Sequence, residues 1–383
     1  MTRIRKYLFG CITILVALAA SSCVRKSAGE GAAEIVVKVD VSKSAAFDID
    51  ADASLERLVP LETTDSSLIG SLDKVLFAGD DIVVLDKKNK RILLFSGTGA
   101  FLRQIGRQGN GPAEYVEVSD LCCDKTGKML YAFDRIKRKM FQYSLDGEDV
   151  RVIQTGFTGN SFLPARDGWW LYYSYLDNPD RWSLIHVDPE MKQISDGYFP
   201  YKDFLPTTME PCFATGGGKD LFFYNYSNFI YELTGGKLKP YIELDFGERT
   251  LPYDRLLKAE TPQEYSAAVT ECKGLGNIRN VHSAGRYIFL EFSEVGFNTV
   301  GTAYFGIIDT KKHGMAVFGS FNRSEILRDQ TLLGVTEADE MVFALSPAGY
   351  LEDYPAQLKA VAPELAFDDN PILAFYKLRN QGQ

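Results

Sequence analysis

Histidine is nearly missing. His186, His282 and His313 are the only three in 383 residues, no two of them stand at metal-ligand spacing, and a histidine zinc centre is therefore not expected. Basic residues are also in deficit, 42 against 51 acidic, the reverse of the basic stripe that a nucleic-acid binder needs to neutralise phosphates. Cysteine is too sparse for a disulfide scaffold: of six, Cys11 and Cys23 lie at the amino terminus, leaving Cys122, Cys123, Cys212 and Cys272. Neighbours on a strand point to opposite faces, so Cys122 and Cys123 cannot be two arms of one metal clip. A Cys212–Cys272 bridge in an oxidising compartment stays open beside the simpler reading of small buried hydrophobes. No G-x-S-x-G elbow occurs, and Ser283 beside His282 on a strand would point away from it, so nothing signals nucleophilic catalysis. Beyond the first 22 residues no apolar run approaches the ~20 residues of a spanning helix.

What is present starts with an address. Arg3, Arg5 and Lys6 precede an apolar run from Tyr7, which leads into Ala20-Ser21-Ser22-Cys23, small residues directly before a cysteine. This resembles the bacterial lipobox, which implies cleavage after residue 22 and acylation of Cys23; the alternative, an uncut anchor, has only the 16 residues 7–22. Buried acyl chains contribute ~0.8 kcal/mol per methylene, so two or three chains hold a folded domain to a bilayer. Residues 24–34, VRKSAGEGAAE, read as a flexible tether. The expected place is the cell envelope, lipid-anchored in the outer membrane; the lack of an acidic cluster after Cys23 points to the periplasmic side.

The remainder is 45% hydrophobic and 13% aromatic overall, enough for a sizeable core. Residues 81–95, DIVVLDKKNKRILLF, read as strand, polar turn and strand, with a third strand in SGTGAFLRQIG. The same grammar returns at 129–152: Asp86 and Asp134 each stand nine residues before an aromatic, Phe95 or Tyr143, and Gly99 and Gly147 follow four residues later. That offset of 48 fits one four-stranded propeller blade. Weaker copies lie at 169–188, 221–237, 287–314, and in the pair 341–347 and 372–379, giving six meanders. The expected fold is all-β, a six-bladed propeller of four-stranded antiparallel blades over residues 35–383. A short helical insertion is expected at about 250–275, between blades four and five, where Thr261-Pro262-Gln263-Glu264 has the chemistry of a helix start. Closure of the ring needs a strand from the amino-terminal side, from residues 34–40 or 55–61.

Several of these segments resemble a known family. Leu61-Glu62-Thr63, Leu68-Ile69-Gly70, DDIVVLD, GAFLRQIG, GNGPAEY and the terminal NPILAFYKLR are similar to six-bladed β-propeller lipoproteins of unknown function from gut-type double-membrane bacteria. That resemblance implies a fold related to NHL-repeat and TolB-like propellers. Ala113 stands where that family usually has glycine.

IGRQGNGPAEY, between the outer strand of one blade and the inner strand of the next, must cross a propeller face. Arg107, Gln108, Glu114 and Tyr115 are therefore candidates for an axial ligand funnel, with Asn225 and Arg279. The segment is no phosphate-binding P-loop, since no Lys-Ser/Thr pair follows its last glycine. Catalytic residues stay unassigned, Asp86 and Asp134 are expected to brace hairpins, and no cofactor or metal is expected. The reading favoured is a lipid-anchored binding or scaffolding module for a peptide, glycan or partner protein. The alternative is an axial hydrolase or lyase built from carboxylates, Asn225, Arg279 and Glu114, for which Ca²⁺ is the fitting ion. A monomer without nucleic acid is expected.

Overall fold

The run Arg91-Ile92-Leu93-Leu94-Phe95 looks too apolar for a strand with one wet face, and the reason is that it has none. Ile92 and Leu94 pack with Leu121, Leu130 and Phe141, while Leu93 and Phe95 pack with Val342, Leu373 and Phe375. Alternation along the strand sends successive side chains to two neighbouring sheets, and both are hydrophobic. The same holds for Trp169 to Tyr172, which fill both sides of their strand.

The computed structural model describes residues 31–379 except 147–148, 174–179, 204–211, 225–226, 273, 297–298, 323, 328–331, 351–353 and 365. Within them six sheets stand around one axis. Their inner strands are Lys74–Ala78, Asp120–Cys123, Ser161–Ala165, Phe213–Gly216, Leu275–Ala284 and Leu332–Val335, and each touches the next until the sixth meets the first. We number the blades in that order. Blades 1 to 5 are antiparallel meanders of four consecutive strands: residues 74–105, 120–154, 161–200, 213–245 and 275–322. The fold is thus a six-bladed β-propeller. Helices Tyr253–Lys258 and Pro262–Cys272 lie between the last strand of blade 4 and the first of blade 5. Thr261 starts the second of these, its Oγ1 accepting from the Glu264 N–H at 3.2 Å while the Glu264 carboxylate accepts from the Glu260 N–H at 2.9 Å.

Both amino-terminal segments become strands, with different duties. Ala53–Pro60 pairs antiparallel with Ile372–Leu378 and completes blade 6, so the two chain ends share one sheet. Arg57 strengthens that seam, its guanidinium lying 3.7 Å from the Phe375 ring centre and 2.5 Å from Glu340. Ile35–Lys38 instead adds a fifth, parallel strand outside blade 4, with Ile35 opposite Ile242 and Lys38 opposite Asp245. Ala45–Asp48 does the same outside blade 5, where Phe47 inserts among Phe305, Phe318 and Phe321 at ring separations of 4.8–5.8 Å. Between them Asp40 turns the chain by accepting the Ser42 N–H. Residues 35–48 form a strap across two outer edges.

Cys122 and Cys212 are buried. The Cys272 side chain lies outside the described residues, as do the leader, Cys23 and residues 24–30 of the tether.

Candidate functional site

Because each blade is an antiparallel meander, the crossing from an outer strand to the next inner strand emerges on the same face as the hairpin tip between second and third strands. Asp86 and Asp134 end second strands on that face, and both have no exposed surface. Asp86 accepts from the N–H groups of Gly70, Ser71 and Asn89 at 3.0–3.1 Å. Burial opposes its ionisation, but those donors outweigh it and hold the carboxyl below the usual range. Asp134 accepts from Val116, Ile136 and Lys137 at 2.6–2.9 Å. Each aspartate fastens its own hairpin to the preceding crossing.

The crossing that carries four candidate residues begins at Gly106, with φ +64°, where a Cβ would fall 2.5 Å from Tyr143 Oη. The chain then doubles back: Gly109 N–H donates to Tyr115 O at 2.8 Å and Tyr115 N–H to Arg107 O at 3.2 Å. Glu114 closes onto its own loop, accepting the Gly111 N–H at 2.8 Å. Lys137 donates to the carbonyls of Gly109 and Glu114 at 2.7 and 2.9 Å. Arg107 and Gln108 are exposed on the crossing face. Tyr115 is placed differently from the expectation of an axial funnel. It is fully buried, edge-on to Phe141 between blades 1 and 2, and desolvation pushes its hydroxyl up to about 12. An aromatic ring after a turn is apolar filling here, because the crossing must plug the gap between two blades. Asn225 lies outside the described residues.

Arg279 is on the inner strand of blade 5, and with it come groups that sequence reasoning missed. Asn277 and Asn280 take φ of +51° and +50°, and the register slips twice, between Gly276 and Arg279 and between Arg279 and His282. Such bulges re-aim side chains. Arg279 Nε donates to Glu291 at 3.0 Å, Asn280 Nδ2 to the other Glu291 oxygen at 3.1 Å, and His282 Nε2 meets Asn280 Oδ1 at 2.9 Å. Desolvation lowers the His282 pKa to about 4, with Lys74 of blade 1 adding to the shift and Glu291 opposing it, so the imidazole is neutral at pH 7.

Lys74 itself stands 2.7 Å from Asp120, which also accepts from Ser161 Oγ at 2.8 Å and the Phe162 N–H at 3.3 Å. One carboxylate, 1% exposed, thereby joins the inner strands of blades 1, 2 and 3. Desolvation works against the charged Lys74, yet Asp120 outweighs it and the ammonium titrates above its ordinary range. The inner ring thus presents hydrogen-bonding groups whose acids are already paired. Glu291, charged in the middle of YIFLEF, was the signal in the sequence that could have led to this cluster. Away from the axis, a groove of about 670 Å³ opens beside the strap, between Asp40, Ser42, Phe246, Arg249, Leu275 and Tyr304.

Comparison with solved structures supports the architecture. A Bacteroides fragilis protein described as exported superposes with a TM-score of 0.71 at 20% identity, over 90% of this chain and 99% of that one. A Bacteroides vulgatus member of the duf4221 family gives 0.50 at 8% identity, over 86% and 98%. At such identities the likeness is one of fold. No curated protein matches the chain. A family model does, over residues 34–377, and the chain accordingly belongs to the family described as a domain of unknown function, DUF4934.

Proposed function

We propose that this protein is a lipid-anchored propeller of the cell envelope that binds a polar ligand, a peptide, glycan or partner-protein segment, at the inner ring. The observation that carries this reading is the pairing of Arg279, Asn280 and His282 around Glu291, set on a doubly bulged inner strand. The carboxylates here are committed to a guanidinium, an amide or an ammonium. They are good at holding donors in fixed directions, which is what selective binding uses. Arg107 and Gln108, exposed where the first crossing emerges, extend the same reading to the rim.

The envelope location is supported by the leader, by Cys23 after small residues, and by the description of the similar Bacteroides fragilis protein as exported. Among the described residues no helix is long and apolar enough to cross a membrane. Kinship with NHL-repeat and TolB-like propellers fits the same picture. Affinity capture from the native envelope tests the binding role: partners held by the wild-type chain should be lost from an Arg279→Ala/His282→Ala variant that keeps its thermal midpoint. Equal capture by both removes the inner ring from the site. Intact-mass analysis of membrane-extracted protein should find residues 1–22 gone and acyl chains on Cys23; a chain starting at Met1 overturns the anchor.

A further inference from the structure

Two hairpin tips on the crossing face are crowded with one sign of charge, in a chain whose net charge is −9. Of the twelve residues 86–91 and 134–139, eight are Lys or Arg and two are Asp. Both aspartates turn inward onto backbone N–H groups, so the outward field of the tips is cationic. Lys87, Lys88 and Lys90 are exposed. Beside them lie two exposed aliphatics, Leu68 at 42% and Ile136 at 57%. Arg91 fixes the first by donating to the Leu68 carbonyl.

Blade 6 puts the opposite sign on the same face. Its second and third strands are joined through residues 346–371, where Glu364, Phe367 and Asp368 are exposed, Phe367 to 70%. Asn370 fastens the end of this connection to the crossing that carries Leu68, accepting the Ile69 N–H at 2.7 Å and donating to Ser67 O at 2.9 Å. An acidic spot with a bare aromatic ring therefore sits beside a basic spot with bare aliphatics. Among the described residues no ion pair joins the two within one molecule.

We propose that the crossing face pairs with a second copy of this chain, in place of the monomer expected from sequence. A twofold axis lying in that face between blades 6 and 1 would set Glu364, Phe367 and Asp368 of each copy against Lys87, Lys88 and Lys90 of the blade 1 tip and Leu68 of the other. Each contact would be made twice. Self-complementarity singles out a second copy. A glycan reader would offer exposed aromatic faces among its cations, and the two tips offer only Ile136. An anionic bilayer pressed on this face would meet Glu364 and Asp368 together with the lysines.

A contact steered by solvent-reached charge weakens with salt. Sedimentation velocity of the full chain, in one neutral detergent throughout, should show a dimer that weakens about tenfold or more from low salt to about 0.5 M. Lys87→Glu/Lys88→Glu/Lys90→Glu and Glu364→Lys/Asp368→Lys should each be monomeric alone, and mixing the two variants should restore the dimer. Misfolding cannot produce that rescue. A wild-type chain that stays monomeric in low salt overturns the proposal. So does a dimer that either variant leaves intact, or a mixture that remains monomeric.

Discussion

Asp120 has almost no water to fall back on, and it serves Lys74, Ser161 and Phe162 at once. Asp120→Ala would strand the Lys74 ammonium against the inner ring. Breaking a buried pair from one side costs about 3–5 kcal/mol, which urea unfolding should register as a lowered midpoint with an unchanged slope. His282 makes a prediction in pH. Its pKa is lowered to about 4 in the fold from 6.5, so as pH falls the unfolded chain takes up the proton first. The stability contributed by the neutral ring is full above about 6.5 and is lost as pH drops towards 4. His186, buried against Trp170 and lowered mainly by desolvation, acts in the same direction. His282→Gln should flatten the fall in urea midpoint between pH 7 and pH 4.5, and the His282 ring signals should titrate with the low value; an ordinary imidazole titration contradicts this. These partnerships were hidden in the sequence for a simple reason. Lys74 and Asp120 head different strands in different blades, and only the closing of the ring brings them together.

At the scale of elements the meanders were legible because second and third strands are short apolar runs bounded by polar turns, and because Asp86 and Asp134 repeat one bracing job at the same place in two blades. The two amino-terminal segments were not assignable in the same way. Residues 34–40 and 55–61 are both short and β-prone, and only pairing partners distant in sequence decide that the later one closes blade 6 while the earlier one lies outside blade 4. Burial then records the difference: Ile35 and Val37 face in while Val36 is half exposed, the mark of an outer strand covering one side. Removing residues 31–44 should therefore leave a closed propeller. Withdrawing Ile35, Val37 and Val39 should cost about 2 kcal/mol for each buried side chain as an upper figure, read as a lower thermal midpoint with the β-sheet circular dichroism retained. Deleting residues 53–60 should abolish cooperative unfolding, since Phe375 and its sheet would lose the strand that joins the ends. A truncated strap that unfolds the whole protein would show that the ring depends on it.

The whole molecule is a ring whose seam lies in blade 6 and whose upstream chain enters at the flank of blade 4. That separation has a mechanical meaning. Ile35–Lys38 runs alongside residues 242–245 in the same direction, with Glu34 held 3.5 Å from Lys239 at its start. A tug on the chain before Glu34 pulls along the strand, across hydrogen bonds that lie transverse to it, so the rungs share the strain instead of parting one by one. In a force-extension experiment, loading through the amino terminus and a point in blade 4 should give a single abrupt rupture of residues 35–48. Loading through residue 53 and the carboxyl terminus should peel the seam at lower force. Pulled by its side rather than by its clasp, the ring can be dragged without being opened.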